Sequence, residues 1–242
     1  MLVLLNKEIR EFFSNLMGYI VVIVFLLINS LFIWVFPGEF NLLDAGYANL
    51  DTLFIISTWV FLFLVPAITM RLFAEEKKTG TLDTLLIRPI SDLQIVLAKF
   101  FAGVILVFVS LLPTIIYYFT IYKLGNPVGN LDKGGILGSY IGLFFLASVY
   151  ISIGLFASSL TQNQIIAFII GMLIAFFFYY GFDSIGTILP QSAQEFIVYL
   201  GINEHYRSIS RGVVDTRDVV YFISIISIFI YFTKLAIESR KW

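Results

Sequence analysis

Cysteine is absent from this 242-residue chain, which rules out disulfides, thiolate metal sites and cysteine nucleophiles. Charge is scarce as well. Asp, Glu, Lys and Arg make up 13% of the residues, against roughly 25% in an ordinary soluble domain, while 60% are hydrophobic. With a net charge of −1 the chain offers nothing that argues for a nucleic-acid partner. It has no G-x-x-x-x-G-K-(S/T) phosphate loop, so it cannot bind ATP by that route and is not read as an enzyme. Histidine occurs once, at position 205. A cleavable signal is not expected either. Lys7 and Arg10 precede an apolar run too long for a signal core, and no small-residue cleavage site follows it.

Six long, mostly apolar runs remain, at about 13–36, 51–70, 100–122, 136–159, 164–182 and 218–236. Each is long enough for a helix through a bilayer, which takes about 20 residues, and too long and uniform for a membrane strand. Basic residues orient them. With the N-terminus inside, Lys7, Arg10, Arg71, Lys77, Lys78, Arg88, Lys99, Lys234, Arg240 and Lys241 fall on the inner side. Only Lys123, Lys133, Arg207, Arg211 and Arg217 fall outside, so the ten-to-five bias predicts cytoplasmic termini. No acidic or basic residue sits at the middle of any run, which argues against proton-coupled pumps and ion-driven carriers. An energy source outside the membrane fits better.

Between the second and third spans, charges crowd into 71–78 and Gly80 interrupts the segment. Leu82, Leu85 and Leu86 share one face of a short helix expected from Thr81, which Pro89 stops. Ser91 or Asp92 can cap the next helix. Two readings stand side by side: an interfacial turn that anchors two spans, or a docking element. In the second, the leucine ridge enters a partner's groove and Glu75, Glu76, Lys77 and Lys78 orient it.

Elsewhere the sequence is informative at four places. Span 4 carries Gly138 and Gly142, one G-x-x-x-G, and repeats the small spacing with Gly154 and Ser158, which favours close helix packing. Asn29 is the clearest polar residue deep in a span, lining a path or bonding a neighbouring helix. Pro66 and Pro113 are candidate kinks. Before the last span, residues 183–217 are too polar to cross yet keep an apolar rhythm split by Pro190. They read as two short helices in or on the outer interface, with Tyr199 and Tyr206 at headgroup depth. A metal or acid–base site at His205 and Glu204 is conceivable, but an ion-pair network of Arg211, Asp215, Arg217 and Asp218 is the better reading. Gly212 suits a tight turn, and Asp215 or Thr216 a helix cap.

The phrase from Arg71 to Leu86, Arg-Leu-Phe-Ala-Glu-Glu-Lys-Lys-Thr-Gly-Thr-Leu-Asp-Thr-Leu-Leu, followed by Arg-Pro-Ile-Ser, resembles ABC-2 type ABC transporter permeases. The likeness runs over the whole chain, from an amphipathic N-terminus to a structured outer segment. It implies an all-α membrane protein forming one transmembrane domain, 1–242. Six transmembrane helices are joined by an N-terminal interfacial helix, a cytoplasmic coupling helix and an outer re-entrant helical hairpin. It further implies that Glu75, Glu76, Lys77, Thr81, Leu82, Leu85 and Leu86 couple to an ATPase subunit holding the ATP and Mg. No cofactor or metal is expected on this chain. The permease is expected in the bacterial inner membrane, with a second permease or substrate-handling subunit, identical or different. Ile202-Asn-Glu-His-Tyr and Arg211-Gly-Val-Val-Asp-Thr-Arg-Asp are similar to phrases of the gliding-motility-associated permeases of Bacteroidota (the GldF type). Permeases of nitrous-oxide-reductase copper maturation carry a similar phrase, and a scaffold of a motility or secretion complex without transport remains an alternative.

Overall fold

The computed structural model describes residues 1–82 and 90–239. Among them there is no strand, and six helical segments are long and apolar enough to cross a bilayer. A separate helix, α1 (Leu2–Ser14), precedes the first span. That span is α2 (Leu16–Ser30), prolonged by a π-helical turn over Leu31–Val35. After the single turn α3 (Leu42–Ala45) come α4 (Asp51–Thr79) and α5 (Asp92–Leu111). The third span continues through a 3-10 turn at Leu112–Thr114 into α6 (Ile115–Leu124). The fourth is α7 (Lys133–Leu160), and the fifth joins α8 (Gln164–Phe176) to α9 (Phe182–Gly186) through a π turn. Two short helices, α10 (Gln191–Val198) and α11 (Ile202–Ser210), lead to the last span, α12 (Thr216–Glu238).

The boundaries follow local chemistry. Helix α4 runs nine residues past the expected end of its span, because Ala74–Lys78 are strong helix formers. Arg71 Nε also pairs with Glu75 Oε2 one turn on, at 3.2 Å. Lys77 and Lys78 sit near the negative pole of the helix, and Gly80, left-handed at φ +73°, ends it. The charged residues 71–78 are therefore the last turns of a continuous helix and not a loop beneath it. Helix α5 likewise starts early, on a capping box in which Ser91 Oγ accepts from Gln94 N and Gln94 Oε1 accepts from Ser91 N. Pro113 sits in the 3-10 turn, while α4 continues through Pro66. The polar residues of α12 turn inward on their own helix. Ser224, Ser227 and Thr233 each donate to the carbonyl four residues back, so none of these hydroxyls is left unpaired in an apolar surrounding.

Helix α7 is the axis of the bundle. In its most apolar stretch 78% of residues are buried, against 17% for the fifth span and 22% for α12, which form the outer rim. It packs on α4, α5, α8, α11 and α12. Its small residues set those approaches within one chain. A Cβ on Gly154 would run into Thr69 Oγ1 of α4, and one on Gly142 would lie 3.0 Å from the Tyr206 ring of α11. A Cβ on Gly138 would strike the Ile209 carbonyl and come within 3.0 Å of Gly212 Cα. Ser158 Oγ accepts from Phe73 N and Ala74 N at 3.1 and 3.0 Å and donates to Met70 O at 2.8 Å, knitting α7 to α4. Because the obstruction at Gly138 is backbone, Gly138→Ala is expected to cost about 1–3 kcal/mol. A thermal-unfolding midpoint equal to wild type would show that α11 does not dock there.

The alternating spans give the bundle two ends, named here for a buried residue at each. The Lys99 end gathers α1, the end of α4, the start of α5 and the end of α7. The His205 end gathers the start of α7, α11 and the start of α12.

Candidate coupling site at the Lys99 end

Helix α1 is amphipathic. Leu4, Glu8 and Phe12 recur every four residues on its buried face, which packs against α5. Asn15 is extended and breaks the helix. Gly18 then lets α2 start close by, since a Cβ there would lie 2.6 Å from the Phe12 carbonyl oxygen. This arrangement carries a carboxylate into the core. Lys99 Nζ of α5 bonds Glu8 Oε1 at 3.1 Å and Glu76 Oε1 of α4 at 2.8 Å, and lies 5.3 Å from the centre of the Phe73 ring. The Lys99 side chain is 1% exposed and that of Glu8 3%. One cation thus ties three helices together.

Lys7 closes the cluster from the solvent side, reaching Glu8 Oε1 at 3.2 Å, Glu11 Oε2 at 3.4 Å and Glu76 Oε1 at 3.6 Å. Partial burial by itself lowers the Lys7 ammonium, but Glu8, Glu76 and Glu11 outweigh it and hold it above the usual 10.5. Its contribution to stability is therefore complete below that value and is lost as pH rises through the higher folded one. Outside the cluster opens a cleft of about 630 Å³ between α1 and the end of α4, lined by Lys7, Glu11, Arg71, Glu75, Thr79 and Thr81 among others. Charges of both signs along such a cleft orient a charged partner more than they bind it tightly.

The residues expected to couple divide sharply. Glu75 is half-exposed and Thr81 exposed, both on the cleft. Glu76 instead faces inward to Lys99. Lys77, expected as an orienting surface charge, is buried and donates to Ser159 O, where it caps the end of α7. Leu82, expected on an outward ridge, is 1% exposed and part of the protein's own core. Leu85, Leu86 and Pro89 lie outside the described residues.

At the opposite end, no ion pair among the described residues joins Arg211, Asp215, Arg217 and Asp218 to one another. The first three are exposed, and Asp215 caps α12 by accepting from Arg217 N at 2.9 Å. Asp218 is buried and meets His205 Nδ1 at 2.7 Å. His205 Nε2 faces the Tyr199 carbonyl at 2.9 Å, and its ring stacks on Tyr221 at 3.8 Å. Tyr206 is not at a surface but buried, and burial pushes its phenol well up. Among the described residues no group of three or more His, Asp or Glu is placed to hold a metal. Asn29 bridges two spans: its amide donates to Phe25 O at 2.9 Å and its carbonyl accepts from Ser57 Oγ at 3.1 Å.

Glu8 belongs to this candidate site without being part of any motif in the sequence. Its signal is present, since an acidic residue halfway between Leu4 and Phe12 sits on the apolar face of an amphipathic helix. Lys99 stands out in the sequence only as one of the ten inner-side cations.

Six apolar helices around a small-residue axis, with their buried charges paired at the Lys99 and His205 ends, define a multi-pass membrane protein. Residues 2–238 match the family described as ABC-2 family transporter protein, and the chain belongs to that family. No curated protein matches the chain.

Proposed function

We propose that this chain is the permease subunit of an ATP-driven transporter of the bacterial inner membrane, with the Lys99 end and both termini in the cytoplasm. The ten-to-five distribution of Lys and Arg supports that orientation. ATP and Mg are held by a partner ATPase, and a second permease, identical or different, completes the membrane unit. One observation carries the reading. The cleft at the end of α4 is backed by the Lys99 cluster, so a load applied at Glu75 and Thr81 passes to α1, α4 and α5 together. Bistable elements linked in this way convert a local push into a rearrangement of whole helices. The outer helices α10 and α11 form a re-entrant hairpin in this reading, backed by the packing of α11 on α7.

Association with gliding motility or its secretion machinery is the finer proposal, supported by the two C-terminal phrases. Those phrases have a physical role of their own. Ile202, His205 and Tyr206 of the first are buried on α11, while Gly212, left-handed at φ +89°, and Asp218 of the second build the corner into α12.

Co-purification with the ATPase subunit tests the coupling assignment. Glu75→Lys combined with Thr81→Asp alters the cleft without touching the buried cluster. The pair is expected to abolish ATPase retention while leaving the permease monodisperse. Undiminished retention would overturn the assignment.

A further inference from the structure

The 3-10 turn at Leu112–Thr114 separates two parts of the third span that behave differently. Helix α5 packs along α7, whereas α6, beyond the turn, has far less contact with it. Between them opens a groove of about 790 Å³, walled by Leu112, Ile115, Leu137, Ile141 and Phe144 among others. It is almost wholly apolar, and the Tyr140 hydroxyl on its wall is engaged with Thr114 Oγ1 at 3.0 Å. At one end stands Lys133, at the first turn of α7. Lys133 is exposed and forms no ion pair among the described residues, and its neighbour Asp132 turns back to accept from Gly135 N at 3.0 Å.

We infer that this groove is a binding site for one phospholipid of the surrounding bilayer, its phosphate at Lys133 and an acyl chain along α7. The dimensions favour a lipid over a protein segment. From Lys133 to Phe145 the wall covers about 18 Å of helix. That is close to one leaflet's share, about 15 Å, of the hydrocarbon core. A partner's spanning helix needs roughly twice that length, more than the wall from Lys133 to Phe145 offers. The chemistry agrees. An exposed ammonium where the span begins, with the neighbouring Asp132 carboxylate turned away to cap α7, suits an anionic phosphate. The wall beneath it offers hydrocarbon and rings, the surroundings that an acyl chain shares.

Native mass spectrometry of the full chain, released from nanodiscs of phosphatidylglycerol and phosphatidylethanolamine, tests the site. The wild type is expected to retain one phospholipid per chain. Leu137→Trp, which fills the groove, and Lys133→Glu, which reverses its cation, are each expected to lower retention about fivefold. Leu173→Trp, on the exposed face of α8, serves as the control and is expected to retain lipid as the wild type does. Equal retention in all four proteins, or equal loss in the control, would overturn the inference. A photo-crosslinking residue at Ile141 gives a second readout that does not depend on lipid surviving purification. Adducts to phospholipid support the site, and adducts mainly to a second copy or to another protein sink it.

Discussion

Lys99→Met is expected to destabilise the protein by about 3–5 kcal/mol, the cost of leaving buried carboxylates without their cation. The ammonium is 1% exposed and holds Glu8 Oε1 and Glu76 Oε1 at once. With methionine in its place Glu8 keeps only Lys7, whose side chain is 51% exposed, and Glu76 keeps the same longer contact at 3.6 Å. One oxygen, Glu76 Oε2, is already buried without a hydrogen-bond partner among the described residues, so the site has little capacity to absorb the loss. Coulomb attraction alone does not decide the outcome, because desolvating three charges offsets much of it. The triple variant Glu8→Gln/Lys99→Met/Glu76→Gln separates the two effects. With Glu8, Lys99 and Glu76 all neutral, the triple variant is expected to recover most of the stability lost by Lys99→Met. Unfolding midpoints in detergent measure both, and a single variant as stable as wild type would show that the cluster does not hold α1 to the bundle.

The same comparison bears on what the cluster is for. An apolar core of similar volume would hold three helices at least as well, so stability alone gives no reason to bury ions there. Charge pairs differ from hydrophobic contacts in being specific to one register. Glu8 meets Lys99 only when α1 lies at one position along α5, so the cluster fixes α1 to the end of α4 as well. In the proposed coupling, a lever that must transmit a push without slipping needs that property. If the triple variant is stable yet leaves ATP hydrolysis uncoupled from transport, stability and transmission are separate roles of these residues.

The spans were legible because their signal is length and apolarity, which tertiary packing does not alter. Their ends were less so. The charges of 71–78 read as a loop leaving the membrane, yet residues such as Ala74, Glu75 and Lys78 prolong a helix more readily than they end it, and only Gly80 stops it. Cap chemistry was readable locally, as Ser91 and Asp215 show. Side-chain direction was not. Lys77 and Glu76 are adjacent in a charged run that reads as solvated, but α7 and α5 lie against that turn and draw both inward. No spacing rule within one helix reveals which neighbour covers it. The outer cluster illustrates the same limit: four charges close in sequence suggested mutual pairs, whereas Asp218 found the only histidine 13 residues away in the chain.

His205→Ala is expected to cost about 3 kcal/mol, from a buried partner left unpaired and a ring stack lost. Nε2 faces the Tyr199 carbonyl, which only accepts, so that nitrogen carries hydrogen. The 2.7 Å contact from Nδ1 to Asp218 Oδ1 therefore needs one further proton, held by the ring or by the carboxyl. Either way, alanine strands a carboxyl whose side chain is 6% exposed and whose second oxygen already lacks a hydrogen-bond partner among the described residues. The stacked Tyr221 loses its ring neighbour, although its hydroxyl keeps Leu200 O at 2.6 Å. Asp218→Asn supplies the comparison. Its amide donates to Nδ1 without the extra proton, so its cost is expected to stay near 1 kcal/mol. Hydrogen exchange locates the effect: in His205→Ala the amides of α10 and α11 exchange faster while those of α1 and α5 do not. If exchange rises equally at both ends, the histidine supports the whole bundle and not the corner between α11 and α12. If it rises nowhere, Asp218 and Tyr221 hold that corner without it.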